Sequence, residues 1–209
     1  MKKIVVYASG EGTNFSAIVD SGILVEKVIT NNSTAGVIKR AENYGIPVKI
    51  LNKNELDEKL GFGTYNRMLD EETPNDTDLI VLAGYMLILP PIFCRKWDKK
   101  IINIHPSLLP AFKGSTNAIE EAYDYGCKVF GATVHWVTEK VDDGKIIDQR
   151  AMTLPASSLE EVKKMVHSYI EHMMYPQVIK KLLHVKEKWE KTGTKNHDDG
   201  LTSVYYEQK

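Results

Sequence analysis

The chain has 209 residues, of which 43% are hydrophobic, and a formal net charge of −1 at pH 7. This length and apolar content favour one domain with a single sizeable core. The near-neutral charge gives no overall basic field for nucleic acid, and no apolar run is long enough for a membrane span or a signal peptide. Cys94 and Cys127 lack metal-ligand spacing, so we expect reduced packing residues, no metal and a cytoplasmic location.

Short apolar runs alternate with amphipathic stretches over most of the chain. The predicted strands cover residues 3–8, 25–30, 47–51, 78–83, 100–104, 128–137 and 146–153. The predicted helices cover residues 13–21, 34–44, 65–72, 91–96 and 118–125. Such alternation is typical of βαβ units with right-handed crossovers. We therefore expect a Rossmann-like α/β fold, with a mainly parallel twisted sheet, helices on both faces and an antiparallel edge extension made by the last two strands.

A long C-terminal helix is also predicted. Ser158 and Glu161 fit a capping box, and apolar residues recur at helical spacing from Leu159 to Met174. Pro176 is expected to kink or interrupt this helix, because proline removes a backbone donor and clashes with the preceding turn. Residues 191–209 read as a polar loop and a short tail.

The first strand–helix junction is glycine-rich, with the sequence Ser-Gly-Glu-Gly-Thr-Asn at residues 9–14. Glycines and a helix N-terminus can direct N–H groups at an anion, so Gly12, Thr13 and Asn14 are candidates for binding a phosphate. Phe15 replaces the third glycine of the dinucleotide fingerprint, which argues against NAD. From the residues alone, a tight structural turn is as good an interpretation as a phosphate cradle.

An apolar segment follows the predicted strand at 78–83. Met86, Leu87, Ile88 and Leu89 come after a turn at Gly84 and precede Pro90. The segment could simply pack on the core. It could also line a slot for a flat heteroaromatic ring, because the carboxyl ends of parallel strands form the ligand edge of such sheets.

Asn103 lies within the apolar strand at 100–104, and His105 follows directly after it. Since side chains alternate with period two, Asn103 and His105 should point to the same side at the carboxyl end of that strand. An amide can donate to a developing oxyanion, and an imidazole can hold or accept a proton near neutral pH. The pair suits acyl transfer, although a single Asn-x-His is more often structural.

A second set of polar residues lies in the strand at 128–137 and in the turn after it. Asp142-Asp143-Gly144 is strong turn chemistry, so Asp142 by itself could be only a turn residue. His135 could equally be a strand histidine satisfied by a local hydrogen bond. These residues gain a functional interpretation only from the whole motif.

The strings at 103–110 (Asn-Ile-His-Pro-Ser-Leu-Leu-Pro) and 131–144 resemble the two signatures of the folate-dependent formyltransferases. The resemblance implies transfer of the formyl group of 10-formyltetrahydrofolate, as co-substrate, to the amine of 5-phosphoribosylglycinamide, without a metal. It implies catalysis by Asn103, His105 and Asp142, with Thr133 and His135 in support. It further implies a phosphate site at Gly12, Thr13 and Asn14, a sugar contact at Glu171, and folate binding by Met86, Leu87, Ile88, Leu89 and Asn103.

This chain departs from the family pattern in several places. Many members carry arginine where Leu87 stands, and the segment 61–64 offers no arginine either, so recognition of the folate tail is open. Asp143 replaces a residue that is often glycine and could stiffen its loop. A histidine common near 117–119 is absent, which leaves the role of the loop 111–117 open.

Other functions remain compatible with the Asn/His/Asp set. A sugar-nucleotide N-formyltransferase and a formyltetrahydrofolate hydrolase would use the same residues, but relatives of both usually carry additional sequence. A binding module without catalysis is a third possibility. We expect small-molecule partners, no nucleic acid or membrane, and a monomer or homodimer, with a phosphate-binding half at about 1–100 and a catalytic and folate-binding half at about 101–190.

Overall fold

A computed structural model of the protein describes residues 2–154 and 158–183. Its strands are β1 (Ile4–Tyr7), β2 (Val25–Thr30), β3 (Val48–Ile50), β4 (Leu79–Leu82), β5 (Ile101–His105), β6 (Val129–Trp136) and β7 (Ile146–Thr153). The described residues form one seven-stranded sheet in the order β3-β2-β1-β4-β5-β6-β7. Strands β1 to β5 are parallel, whereas β6 and β7 are antiparallel to their neighbours. The predicted Rossmann-like sheet with an antiparallel edge extension is confirmed.

The helices are α1 (Thr13–Asp20), α2 (Gly36–Asn43), α3 (Lys53–Leu60), α4 (Thr64–Glu71), α5 (Pro91–Lys96), α6 (Ala118–Tyr125), α7 (Leu159–Met165) and α8 (His172–Leu182). Helix α3 was not predicted from the sequence, because none of its residues is buried and it therefore has no core-facing apolar stripe. Leu56 packs on the core while only partly buried, and polar contacts supply the rest. Asn52 caps it by accepting from the Glu55 N–H, and Lys59 pairs with Glu55. None of the helices in the described ranges is long and apolar enough to cross a membrane.

The sheet is covered on both faces, as predicted. Along β1, Ile4 and Val6 face one apolar layer, while Val5 and Tyr7 face the other. Helices α1, α2, α6, α7 and α8 pack on the first face, and α4 and α5 pack on the second. Burial on both faces explains why the central strands are continuous apolar runs rather than alternating ones.

The strand order reverses between β1 and β4. The chain moves outward from β1 through β2 to β3, then returns to β4 on the other side of β1. In open α/β sheets the crevice at such a switch point, outside the carboxyl ends of the strands, is where ligands bind. Both segments that follow β1 and β4 were candidate binding segments from sequence.

The C-terminal helix begins as predicted but continues further. Ser158 and Glu161 form the complete capping box. A π-helical segment, Val166–Glu171, joins α7 to α8, and α8 then runs through Pro176 to Leu182. Pro176 therefore does not interrupt the helix, and the departure from α-helical geometry lies just before α8 begins. The predicted tail at 191–209 lies outside the described residues.

Tyr175 fixes α8 beneath the centre of the sheet. Its side chain is fully buried, and its hydroxyl lies 2.8 Å from the carbonyl oxygen of Leu82 and 3.2 Å from that of Ile102. Burial raises the pKa of this phenol well above its ordinary value, so the hydroxyl stays a donor. The contact ties the helix to β4 and β5 next to the strand ends that carry the polar residues.

Replacing Tyr175 by phenylalanine removes this donor and leaves buried carbonyl oxygens with one partner fewer. We expect the free energy of unfolding to fall by about 1–3 kcal/mol, measured by urea denaturation. Tyr125→Phe, on a side chain that is 85% exposed, is the matched control and should change stability little. Equal stability of both variants would contradict the anchoring role.

Candidate active site

The pairing of β5 with β6 brings four polar side chains to one face of the sheet. Asn103 lies opposite His135, and His105 lies opposite Thr133. The intervening residues Ile102, Ile104 and Val134 point the other way, into the core. The prediction that Asn103 and His105 share a side is thereby confirmed, and the partners of the two residues on β6 share that side with them.

Asp142 reaches this cluster from the turn between β6 and β7. Its Oδ2 lies 3.4 Å from Nδ1 of His105, and its Oδ1 lies 3.4 Å from Nε2 of His135. Asp142 has a φ of 48°, a left-handed conformation that aspartate tolerates better than most residues. The three residues predicted to be catalytic are thus together, although Asp142 is far from β5 in sequence.

The charge of Asp142 is set by opposing effects. Burial alone would raise the pKa of this carboxyl group. A hydrogen bond from His135, the attraction of His105 and the N–H of Gly114 outweigh burial and hold the pKa below its ordinary value. The site therefore contains a carboxylate at neutral pH.

His135 links the amide to the carboxylate. Its Nδ1–H donates to the carbonyl oxygen of Trp136 at 2.9 Å, the local hydrogen bond expected from sequence. Its Nε2 lies 3.3 Å from Nδ2 of Asn103 and also faces Asp142. In the neutral ring this nitrogen accepts from Asn103, and in the charged ring it donates to Asp142. Nε2 of His135 is therefore a partner either for Asn103 or for Asp142, depending on whether it carries a proton.

The loop 111–117, whose role the sequence left open, closes over this cluster. The carbonyl oxygen of Phe112 accepts from Nε2–H of His105 at 3.1 Å. The N–H of Gly114 donates to Oδ2 of Asp142 at 3.0 Å. Lys113 also pairs with Asp143, so the aspartate that departs from the family pattern ties the loop to the Asp142 turn. The loop holds His105 and Asp142 against each other.

Thr133 supports the segment that follows β5. It is fully buried, and its hydroxyl donates to the carbonyl oxygen of Ser107 and accepts from the N–H of Leu109. Gln149, on β7, donates to the carbonyl oxygen of Leu109 and to the Thr133 hydroxyl. Gln149 was not predicted from the sequence, because only the β6–β7 register places it opposite Thr133.

The glycine-rich junction after β1 forms the N-terminus of α1. Gly12 has a φ of 75°, and a Cβ there would lie 2.7 Å from the Cβ of Val37, so glycine is required. Thr13 is exposed, whereas Asn14 is buried. The Nδ2 of Asn14 donates to Oε2 of Glu171 at 2.8 Å. The predicted phosphate loop and the predicted sugar contact, 157 residues apart, are therefore adjacent.

The apolar segment after β4 divides between surface and core. Met86 and Ile88 are 60% and 73% exposed, Leu87 is half-buried, and Leu89 is buried in the core. The N–H of Met86 donates to the Ser9 hydroxyl at 2.8 Å, which joins this segment to the end of β1. Met86 and Ile88 present apolar side chains at the ligand edge, whereas the side chain of Leu89 does not.

The described residues contain no group of three or more histidine, cysteine, aspartate or glutamate side chains arranged to hold a metal ion. Cys94 and Cys127 are free thiols, the first buried and the second half-buried. The polar cluster is therefore built from an amide, imidazoles and a carboxylate. These are groups that can bind an oxyanion and relay a proton.

A family model described as formyl transferase matches residues 2–179. The chain belongs to the formyl transferase family. The resemblance recognised in the strings at 103–110 and 131–144 is thereby confirmed.

Individual relatives match over most of the chain. Phosphoribosylglycinamide formyltransferase of Bacillus subtilis (strain 168) is 38% identical over 200 residues, which cover 91% of this chain and 100% of the relative. The protein of the same name from Haemophilus influenzae is 42% identical over 193 residues, which cover 86% of each chain. The crystal structure of phosphoribosylglycinamide formyltransferase from Bacillus halodurans aligns with a TM-score of 0.80 at 35% identity, covering 90% of this chain and 98% of that chain.

In this formyl transferase, Gly144 closes the turn that carries Asp142. A Cβ at this position would lie 1.6 Å from the carbonyl oxygen of Trp136. We expect Gly144→Ala to lower the free energy of unfolding by about 1–3 kcal/mol, since the backbone must move to relieve the overlap. Gly10→Ala is the matched control for the denaturation experiment, because a Cβ there meets nothing within 4 Å. A Gly144→Ala protein as stable as the control would show that the turn adapts without cost.

Proposed function

We propose that the protein transfers the formyl group of 10-formyltetrahydrofolate to the amine of 5-phosphoribosylglycinamide, a step of de novo purine biosynthesis. The observation that carries the proposal is the contact of Asp142 with His105 and His135, beside Asn103, at the ligand edge of the sheet. Relatives named phosphoribosylglycinamide formyltransferase, alignable over most of the chain, support the choice of substrates.

The proposed chemistry is direct transfer. The amine nitrogen of the acceptor attacks the formyl carbon, and a tetrahedral intermediate with an oxyanion forms. The C–N bond to the folate nitrogen then breaks, and the proton lost by the amine is delivered to that nitrogen. No covalent enzyme intermediate and no metal are required, so the protein contributes hydrogen bonds, charge and a path for one proton.

Each catalytic residue has a role that its contacts support. One N–H of Asn103 is directed to His135, and the second is available to donate to the oxyanion. Nε2–H of His105 is engaged by Phe112, so Nδ1, which faces Asp142, is the nitrogen that can exchange a proton with substrate or with an ordered water. The Asp142 carboxylate balances the positive charge of a protonated His105 and supplies an acceptor on the proton path.

The binding roles follow the edge of the sheet. The phosphate lies at the N-terminus of α1, on Gly12, Thr13 and Asn14, where N–H groups and the helix dipole favour an anion. Glu171 binds the ribose. The pterin lies along residues 86–89, on the exposed side chains of Met86 and Ile88 and the half-buried Leu87, with Leu89 contributing only its backbone.

The chain acts as one domain, with the phosphate-binding half at about 1–100 and the catalytic and folate-binding half at about 101–190. Its ligands are small molecules, with 10-formyltetrahydrofolate as co-substrate. It works in the cytoplasm as a monomer or homodimer.

Substitution of Asn103 tests the oxyanion role. We expect Asn103→Ala to lower kcat by about 10²- to 10³-fold with a much smaller change in KM, because the lost donor acts mainly in the transition state. The measurement is the absorbance change of the folate during turnover, with the acceptor varied. Asn43→Ala, at the exposed end of α2, is the matched control and should turn over like the wild type. Wild-type turnover by Asn103→Ala would contradict the assignment.

The same assay separates the competing reactions. Loss of the formyl group only when 5-phosphoribosylglycinamide is present supports the transferase. Loss without any amine would mean a hydrolase, and activity only with an amino-sugar nucleotide would mean the other transferase. Phosphate-ligand binding without turnover of any of these substrates would leave a binding module.

A further inference from the structure

Glu171 has a second partner that the sequence did not suggest. Its Oε2 accepts from Nδ1–H of His167 at 2.9 Å, in addition to Nδ2 of Asn14 at 2.8 Å. His167 and Glu171 are four residues apart on the π-helical segment Val166–Glu171. Such segments are rare in helices and frequent at functional sites. The carboxylate is therefore fixed from two sides, by the first turn of α1 and by its own helix.

The position of this carboxylate creates an electrostatic problem. Glu171 is only 3% exposed, and Asn14 connects it directly to the N-terminus of α1, where the proposed substrate places its phosphate. A buried negative charge there would repel the phosphate, because water screens a buried charge less than an exposed one. A cation next to Glu171 removes most of that repulsion.

His167 is suited to supply the cation. The hydrogen bond to Glu171 raises the pKa of His167 above its ordinary value of 6.5, against the lowering effect of burial. The negative charge of Glu120, on α6, acts in the same direction, and the positive charge of Lys163, on α7, opposes it. Lys163 is itself paired with Glu120 at 2.7 Å.

Among the described residues, the other basic groups nearby form no ion pair with Glu171. Burial lowers the pKa of His172, the first residue of α8. Arg40, on α2, bonds to the carbonyl oxygen of Glu11 and to the Ser16 hydroxyl. Among the described residues, His167 is the histidine in contact with Glu171.

An unfilled acceptor indicates where a ligand would bind. Asn14 is only 9% exposed, and its Oδ1 is buried without a partner among the described residues, although its Nδ2 is bonded to Glu171. A buried acceptor without a partner costs about 1–3 kcal/mol. A ribose hydroxyl, which can donate to this oxygen, would satisfy it.

We propose that His167 is a positioning residue of the acceptor site, which as an imidazolium neutralises and orients Glu171 so that the ribose hydroxyls and the adjacent phosphate of the substrate bind together. The proposal rests on the proposed function, because it takes a ribose 5-phosphate group as the ligand. It adds a residue that lies outside the sequence motifs and outside the polar cluster around Asp142. His167 does not touch the reacting atoms, so its effect falls on substrate binding.

The pH dependence follows from the direction of the shift. His167 is charged below its raised pKa and neutral above it, so repulsion by Glu171 returns as pH rises through that value. The KM for the acceptor should then increase. Ionisation of the substrate phosphate, with a second pKa of about 6, has the opposite effect on KM in every variant. The informative quantity is therefore the ratio of the KM of the variant to that of the wild type.

The first test compares His167→Gln with the wild type. Near pH 6, we expect KM for 5-phosphoribosylglycinamide to rise about tenfold in the variant, with kcat changed less than about twofold. The ratio of the two KM values should shrink as pH rises above the pKa of His167. His172→Gln, which removes a neighbouring histidine, should keep the wild-type profile. A ratio for His167→Gln that does not change with pH, or an equal fall in kcat, would overturn the proposal.

His167→Lys separates charge from folding. Lysine keeps a cation at this position and stays charged through neutral pH, so the rise in KM seen in the wild type should disappear. A His167→Lys protein with the pH profile of His167→Gln would contradict the electrostatic role. Thermal unfolding of each variant, compared with the wild type, identifies any loss that comes from instability.

Calorimetric titration with ribose 5-phosphate makes the inference independent of turnover. The wild type should bind this ligand more tightly than His167→Gln near pH 6 and by a smaller margin near pH 8. Equal affinity of the two proteins at both pH values would overturn the role of His167, even if the transferase assay succeeds. If that assay fails while the titration gives the expected difference, the proposed reaction is wrong and the ribose-phosphate site stands.

Discussion

The antiparallel pairing of β5 with β6 is the constraint on which the rest of the site depends. Among the parallel strands, β5 contributes Asn103 and His105 to the cluster, and the antiparallel strand β6 supplies the residues opposite them. Pairing Asn103 with His135 and His105 with Thr133 places an amide, two imidazoles and a hydroxyl on one face. A slip of β6 by one residue would turn His135 and Thr133 toward the opposite layer, where Ile104 and Val134 now pack. The apolar core therefore fixes the register, and the register builds the site.

Much of the fold can be predicted from local patterns in the sequence. Central strands are buried on both faces, so β4 and β5 stand out as short apolar runs, and the period of two by itself places Asn103 and His105 on the same side of β5. The capping box at Ser158 is equally local. By contrast, α3 escapes detection because propensity, a cap and an ion pair hold it without a buried stripe. Hydrophobic patterns in the sequence predict helices and strands that bury an apolar face in the core, and they miss elements that have no such face.

Contacts between distant segments could not be predicted in this way. The site is supported by backbone groups, the Phe112 carbonyl and the Gly114 N–H, and by Gln149, which the strand register brings into place. Neither a backbone contact nor a strand register can be recognised from residue types in the sequence. The segment 86–89 shows the same limit. The sequence makes all four side chains equivalent candidates, whereas the fold turns Leu89 into the core and leaves Met86 exposed. Residue types identify side chains that could bind a ligand, and only the fold decides which of them are exposed at the ligand edge of the sheet.

The two acidic groups, Asp142 and Glu171, create the same electrostatic problem. In the proposed function, a substrate with a phosphate and a reaction with an oxyanion both bring negative charge to the parts of the protein where Asp142 and Glu171 lie. The net charge of −1 provides no overall positive field to compensate. Compensation must then be local, and each carboxylate has imidazole within 3.4 Å, together with an N–H donor. The hydrogen bond to Glu171 raises the pKa of His167, so the positive charge beside Glu171 is lost only as pH rises through that raised value, whereas an arginine partner would remain charged throughout.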